Sequence, residues 1–228
     1  MNELLAPWPA IFEDDRGREA VTMTNDGGVL RMALRGVALN TSWLDSLEPD
    51  PGQAEAAAAR FTLDSIGDVT DYRLECRIPL RCLEGGVLVW RSLRAVIEAG
   101  RRRGRGEAPD LLLELAVGEE VFASPGRSGW FEDELIALLG LLPAATRPTA
   151  CLNCGLSDYS PLGNGLFGTL YCFRGAADAY RRVRSKHGIF DLWTENSGPV
   201  QETGWCSTWE PRPEGAGYRG WPAGLVGS

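Results

Sequence analysis

Four cysteines toward the C-terminal end of this 228-residue chain are the residues whose types and spacing best suit chemistry. Cys151 and Cys154 form a C-x-x-C pair at the start of CLNCGLSDYSPLGNGLFGTLYCF, Cys172 lies near its end, and Cys206 closes VQETGWC. A C-x-x-C spacing lets two thiolates of one tight turn meet a single tetrahedral ion at about 2.3 Å. Two further cysteines at expected strand ends complete a closed four-thiolate set, the donor set of a structural zinc. With four thiolates no position is open for water or substrate, so such an ion stabilises and does not catalyse. Three other readings stay open. The thiols can be buried hydrophobes. They can form a redox pair, although no βαβ context surrounds Cys151. They can hold an iron–sulfur cluster, which also takes four thiolates. Cys76 and Cys82 fall among strands and read as core or surface thiols.

A second set of reactive side chains surrounds the first. SDYSP places Asp158, Tyr159 and Ser160 beside the C-x-x-C turn, QET adds Glu202 and GYRG adds Arg219. Carboxylate, phenol and guanidinium groups together suit a small polar ligand. The plainer expectation is that Asp158 and Ser160 cap turns and that Arg219 pairs with Glu202 inside the domain.

Other motifs are weaker. GNGLFG, with Gly163, Gly165 and Gly168, matches the dinucleotide pattern but enters a strand where a helix N-terminus is required. No phosphate-binding loop or nucleophile elbow is present, and GRSGW only comes near the latter. His187 is the single histidine, so two-histidine metal sites cannot form. Its place on the apolar stripe of an expected helix suggests packing. RRRGRG, from Arg101 to Gly106, is basic but lacks an aromatic for base stacking, and reads as a solvated hairpin tip.

The elements that position these residues follow from periodicity. VLRMALRGVALN alternates loosely, and DYRLECRIPL sets Tyr72, Leu74, Cys76 and Ile78 on one face, the period-two mark of a half-buried strand. Asn25–Gly28 signals a turn. AEAAAARF reads as a short helical turn or loop, and VLVWRSLRAVIEAG and DLLLELAV read as strands. Phe131, Leu135, Leu138 and Leu142 recur at helical spacing behind Ser128 as cap, with Glu132, Asp133 and Glu134 near the helix start and Pro143 as stop. Beyond a boundary near residue 145, LFGTLYCF reads as a strand, GAADAYRRVRSKHG as one helix, and PVQETGWC as a strand.

Composition bounds what these residues can serve. Hydrophobic residues make up 44% and charged residues 24%, ordinary for a chain that buries a core. The net charge of -8 argues against generic binding to nucleic acid or an anionic membrane. No run is long and apolar enough for a bilayer span of about 20 residues. MNELLAPWPAIF lacks the positive start and apolar core of a secretion signal, so a cytoplasmic protein with reduced thiols is expected.

The string C-x-x-C-x-x-SDYSP-x-G-x-G-x-FG…CFR…QET-x-x-C…GYRG resembles the C-terminal signature of an uncharacterised bacterial protein family, a domain of unknown function. The resemblance covers the last third; earlier strands, including CRIPL before Cys82, are similar only in pattern. It implies that Cys151, Cys154, Cys172 and Cys206 belong together, and it draws attention to Asp158, Tyr159, Arg174, Glu202 and Arg219. It implies no reaction.

The expectation is therefore an α+β chain. Residues 1–145 form a β-sandwich-like domain with one or two helices, and residues 146–228 a small four-cysteine zinc-binding α+β module. The leading function is a binding or accessory protein with structural zinc that acts through protein contacts, for which the eight tryptophans offer aromatic surface. The first alternative is a small-molecule enzyme with its pocket at Asp158, Tyr159, Glu202 and Arg219. The second is nucleic-acid binding through the Arg-bearing segment 175–186. Oligomeric state is not legible.

Overall fold

The computed structural model describes residues 6–100, 110–163 and 165–219. RRRGRG and Trp221 lie outside the described residues. The chain is mostly β, with one large antiparallel sheet and few helices. It divides into two compact units: Met1–Pro79 with Ser92–Leu138, and Leu80–Arg91 with Leu139–Ser228. Among the described residues no helix is long and apolar enough to cross a membrane.

The first unit opens with β1 (Trp8–Asp14), β2 (Gly17–Asn25), β3 (Leu30–Leu34), β4 (Val37–Thr41) and β5 (Glu48–Pro49). Next come α1 (Ala54–Arg60) and the short pair β6 (Thr62–Leu63) and β7 (Val69–Thr70). The long strands β8 (Tyr72–Glu84) and β9 (Val87–Ala99), then β10 (Asp110–Val117), β11 (Glu120–Ala123) and α2 (Phe131–Leu139), complete the series. Strand order in the sheet is β11-β10-β9-β8-β1-β2-β3-β4-β5, so nearly every neighbour in space is a neighbour in sequence. The far ends of β8 and β9, residues 80–91, belong to the second unit.

Alternation builds the core of this unit. Every second residue of β8, from Tyr72 through Leu74, Cys76, Ile78 and Leu80 to Cys82, is buried, as period-two patterning requires. Trp8, Ala10 and Phe12 of β1 follow the same rule, as do Leu30, Met32 and Leu34 of β3. Phe12 stacks on Tyr72 with ring centroids 5.4 Å apart and meets Phe61 edge-on at 5.9 Å. Two-residue turns set the registers. Gly85 and Gly86 both have positive φ (54° and 87°), the type I′ geometry whose twist matches that of paired strands. Arg35 and Gly36 repeat it between β3 and β4, with Leu34 opposite Val37. The helix expected behind Ser128 is α2; it buries Phe131, Leu135 and Leu138 and ends before Leu142. Its Glu134 carboxylate accepts from the N–H groups of Gly126, Arg127 and Ser128 at 2.7–2.9 Å.

The second unit has less regular structure. β12 (Thr146–Pro148) pairs with the 82–84 end of β8, and a small sheet joins β13 (Ser157–Tyr159), β14 (Leu170–Cys172) and β15 (Pro199–Val200). The single helix expected over GAADAYRRVRSKHG is instead two short ones, α3 (Ala177–Tyr180) and α4 (Lys186–Asp191). The chain tightens after Tyr180, where the Val183 N–H bonds to the Tyr180 carbonyl at 2.9 Å. It restarts at Ser185, whose hydroxyl accepts from the Gly188 N–H and caps α4. His187 is therefore exposed and not on a packed stripe. PVQETGWC also differs from expectation: only Pro199 and Val200 pair as strand, and Gln201–Cys206 is irregular with a turn at Glu202 and Thr203.

Candidate functional site

The C-x-x-C segment is a clamped turn. Cys151–Asn153 forms one turn of 3-10 helix, and the Cys154 N–H returns to the Cys151 carbonyl at 3.2 Å. Asn153 stitches it to the chain before it: its Oδ1 accepts from the Ala150 N–H (2.9 Å) and its Nδ2 donates to the Pro148 carbonyl (2.7 Å). Two later segments grip the turn from outside. Cys151 and Leu152 donate to the carbonyls of Gly204 (2.6 Å) and Glu202 (2.9 Å), and Gly155 and Arg212 exchange backbone bonds with Glu210 and Asn153 at 2.8 and 2.9 Å. Cys172 enters from β14, with Ser157 as its β13 partner. Cys206 follows the 201–204 segment.

Burial pushes the Cys151 thiol well above its ordinary pKa, and the charges of Cys154, Cys172, Cys206 and Glu202 push it further. Burial also raises Cys154, and the nearby backbone N–H groups of Glu210 and Leu156 oppose the rise. The Cys206 sulfur stands 3.2 Å from the Thr208 hydroxyl. Gly204 is packed against Cys151: a Cβ there would lie 3.1 Å from its sulfur and 2.8 Å from the Gln201 carbonyl. The donor set fits zinc. Among the described residues, however, no group of three or more His, Cys, Asp or Glu side chains is disposed to hold a metal ion. Cys76 and Cys82 are buried strand residues, each pushed up to about 12 by burial.

The polar set forms a filled network. Asp158 and Arg212 are both 0% exposed at their side chains. The Asp158 carboxylate meets Arg219 Nε at 3.2 Å and Arg212 Nη2 at 3.5 Å, and accepts from the Tyr180 hydroxyl (3.0 Å) and the Tyr218 N–H (3.1 Å). Arg212 also donates to the carbonyls of Ser157 and Ala216, and Arg219 to that of Leu152. The Arg219 guanidinium lies 5.3 Å from the Tyr159 ring centre, and the Tyr159 hydroxyl donates to Glu202 at 3.3 Å. Glu202 is fully buried, and burial pushes its carboxyl up to about 7; N–H groups including those of Gly168 and Thr169, with the Tyr159 hydroxyl, act the other way. Gly217 is required here. It has φ +65°, and a Cβ on it would fall 2.1 Å from an Asp158 oxygen.

Arg219 thus pairs with Asp158, and Glu202 is held by Tyr159 and backbone donors. Ser160 caps a turn by accepting from the Leu162 N–H at 3.2 Å. Arg174 is exposed, and no contact ties it to the network. Sequence reasoning missed Arg212, Tyr180 and Tyr218. Arg212 sits between two prolines with no periodic signal, and Tyr180 falls on the apolar stripe of the helix expected over GAADAYRRVRSKHG. Gly168 spends its N–H on Glu202 ahead of β14, so GNGLFG has no helix N-terminus to offer a dinucleotide. Cavities open elsewhere: one of about 510 Å³ in the first unit is rimmed by Glu13, Asp14, Asp15, Asp71, Arg73 and Glu98.

A family model described as a family of unknown function (DUF6304) matches residues 6–157. The match takes in Cys151 and Cys154 and stops before Cys172 and Cys206, so the signature over the last third is not what carries it. No curated protein and no solved structure matches the chain.

Proposed function

The chain belongs to that family, and we propose that it is a binding or accessory protein acting through protein contacts, its second unit stabilised by one structural zinc. Cys151, Cys154, Cys172 and Cys206 would hold the ion, and the first unit would serve as a sandwich-like scaffold. One observation carries the zinc reading: the tight turn holding Cys151 and Cys154 is clamped by the 202–204 segment that leads to Cys206, and the strand after it, β13, pairs with β14 at Cys172. Thiolates carried on one such frame repel one another unless a cation lies among them. Zinc bound by four thiolates supplies folding free energy, which suits a unit with little regular structure.

The Asp158 network supports a binding protein over a small-molecule enzyme, because its own side chains and backbone occupy the donors and acceptors a substrate would use. The Arg-bearing segment offers little to nucleic acid: Arg181 is paired with Asp178 and Glu210, and Arg184 donates to the carbonyls of Arg181 and Val183. The test is metal content of freshly purified protein by mass spectrometry, with thiols counted before and after a chelator. One zinc per chain, released only as the second unit unfolds, is the expected result. Iron, or no metal with reactive thiols, overturns the reading.

A further inference from the structure

Two loops beside the β5 end of the sheet, both within the first unit, are tied to one another. One, residues 42–47, joins β4 to β5; the other, residues 64–68, joins β6 to β7. The Val69 N–H donates to the Leu47 carbonyl at 2.9 Å, and the Ser46 hydroxyl donates to the Asp68 carboxylate. Each loop puts one large apolar side chain into solvent: Trp43 is 49% and Ile66 80% exposed. Trp43 is three residues and Ile66 two from the Ser46–Asp68 tie. At no more than about 3.6 Å of chain per residue, an extended segment of about eight residues reaches both. Neither exposure comes from slack chain. Thr41 Oγ1 accepts from the N–H groups of Trp43 and Leu44 at 3.1 and 2.8 Å. Leu44 is buried with φ +69°, a strained angle for leucine, and its carbonyl accepts from the Tyr72 hydroxyl at 3.1 Å. Asp64 Oδ1 accepts from the N–H groups of Ile66, Gly67 and Asp68 at 2.9–3.0 Å.

The surroundings of both side chains are acidic. Residues 36–72 hold seven acids and one base, Arg60, and so six of the eight net negative charges of the chain. In the sheet, arginines neutralise acids: Asp14 and Glu19 meet Arg35, and Glu75 meets Arg94. Around the loops they do not. Asp50, Asp64 and Asp68 accept from Asn40, chain N–H groups and Ser46, all uncharged donors. Among the described residues no arginine or lysine pairs with these three, with Asp45 or with Glu48. Asp45 also holds one carboxylate oxygen buried without a donor, and burial pushes its carboxyl up to about 6, a cost that an approaching cation relieves. We propose that Trp43 and Ile66 form the centre of a docking surface for a basic segment of a different protein. The segment sets apolar side chains against the two loops and lysines or arginines against the acids around them. An exposed tryptophan inside a polar rim is how protein interfaces are built, and side chains already held in place lose little freedom on binding. Charge chooses the occupant. Nucleic acid and anionic membranes are repelled, and a second copy carries the same -8.

The proposal rests on the reading of the chain as a protein that works through protein contacts, and it is independent of the zinc. Fluorescence anisotropy of the full chain with the labelled peptide KLKLKLKL tests it, at about 0.15 M salt to screen diffuse attraction. KSKSKSKS and ELELELEL serve as peptide controls. W43S/I66S removes the apolar centre and E48K reverses a rim charge. E120K/V121S makes the same kinds of change on β11, at the other end of the strand order. The wild type should bind KLKLKLKL at least about tenfold more tightly than either control peptide. W43S/I66S should weaken binding at least about tenfold and E48K about threefold, with E120K/V121S unchanged. If the double variant fails to fold, Ile66→Ser alone gives the comparison. No binding up to about 1 mM, equal binding of KSKSKSKS, or an equal loss in E120K/V121S overturns the proposal. So does self-association of the wild type that W43S/I66S abolishes, which would make a second copy the occupant. Metal content of the same samples separates the two readings. A zinc-loaded chain that ignores the peptide overturns only the docking surface, and a metal-free chain that binds it in this pattern supports the surface and overturns only the zinc.

Discussion

Replacing Asp158 with alanine tests whether the buried network holds the second unit together. The carboxylate meets both Arg212 and Arg219, at 3.5 and 3.2 Å, and it also accepts from Tyr180 and the Tyr218 amide. Arg212 is entirely buried and Arg219 nearly so, so neither guanidinium can turn to water when its partner is removed. Breaking a buried pair this way costs about 3–5 kcal/mol, because a charge is left uncompensated. Against a total stability of about 5–15 kcal/mol, that removes a third or more of the margin. Asp158→Asn keeps the shape and some acceptor capacity but loses the charge, and should fall between wild type and alanine. Urea unfolding followed by tryptophan fluorescence reads the result through Trp193, Trp205 and Trp209. With a urea dependence of about 2 kcal/mol per molar, the alanine midpoint should drop by about 2 M. An alanine variant within about 1 kcal/mol of wild type would refute the reasoning and return Asp158 to the list of ligand-binding groups.

Two further substitutions probe the same unit. The Glu202 carboxyl is raised from 4.5 to about 7 in the folded chain, so the folded state holds this proton to higher pH than the unfolded chain does. Its contribution to stability is complete below about pH 4.5 and is lost as pH rises through about 7, a change of about 3 kcal/mol at 1.36 kcal/mol per unit. Glu202→Gln should flatten the stability profile between those limits, and an unchanged slope in denaturant titrations would place the titration elsewhere. Gly204→Ala forces a methyl against the Cys151 sulfur, so it should cost about 1–3 kcal/mol and speed metal loss to a chelator; retention at the wild-type rate would show that Cys151 is not a ligand.

Much of the first unit is legible in the sequence because its determinants are local. Alternation in DYRLECRIPL fixes which face of β8 is buried, and Arg35-Gly36 makes a tight hairpin, since that turn needs positive φ and glycine supplies it freely. The second unit is less legible. Tyr180 and Val183 are spaced as a helix face would be, yet the same i, i+3 spacing serves a tight turn, and the Ser185 cap that restarts the chain stands inside a run of helix formers.

The residue types of the site were readable, because C-x-x-C and the acid, phenol and guanidinium groups announce their chemistry wherever they stand. Who pairs with whom was not. Asp158 meets Tyr180, Arg212 and Arg219 across stretches of chain with no periodic relation, and Glu202 meets Tyr159 and backbone N–H groups in the same way. Local spacing carries information over one or two turns of chain. The choice among competing buried partners is made by desolvation, which acts only after the segments have closed on one another.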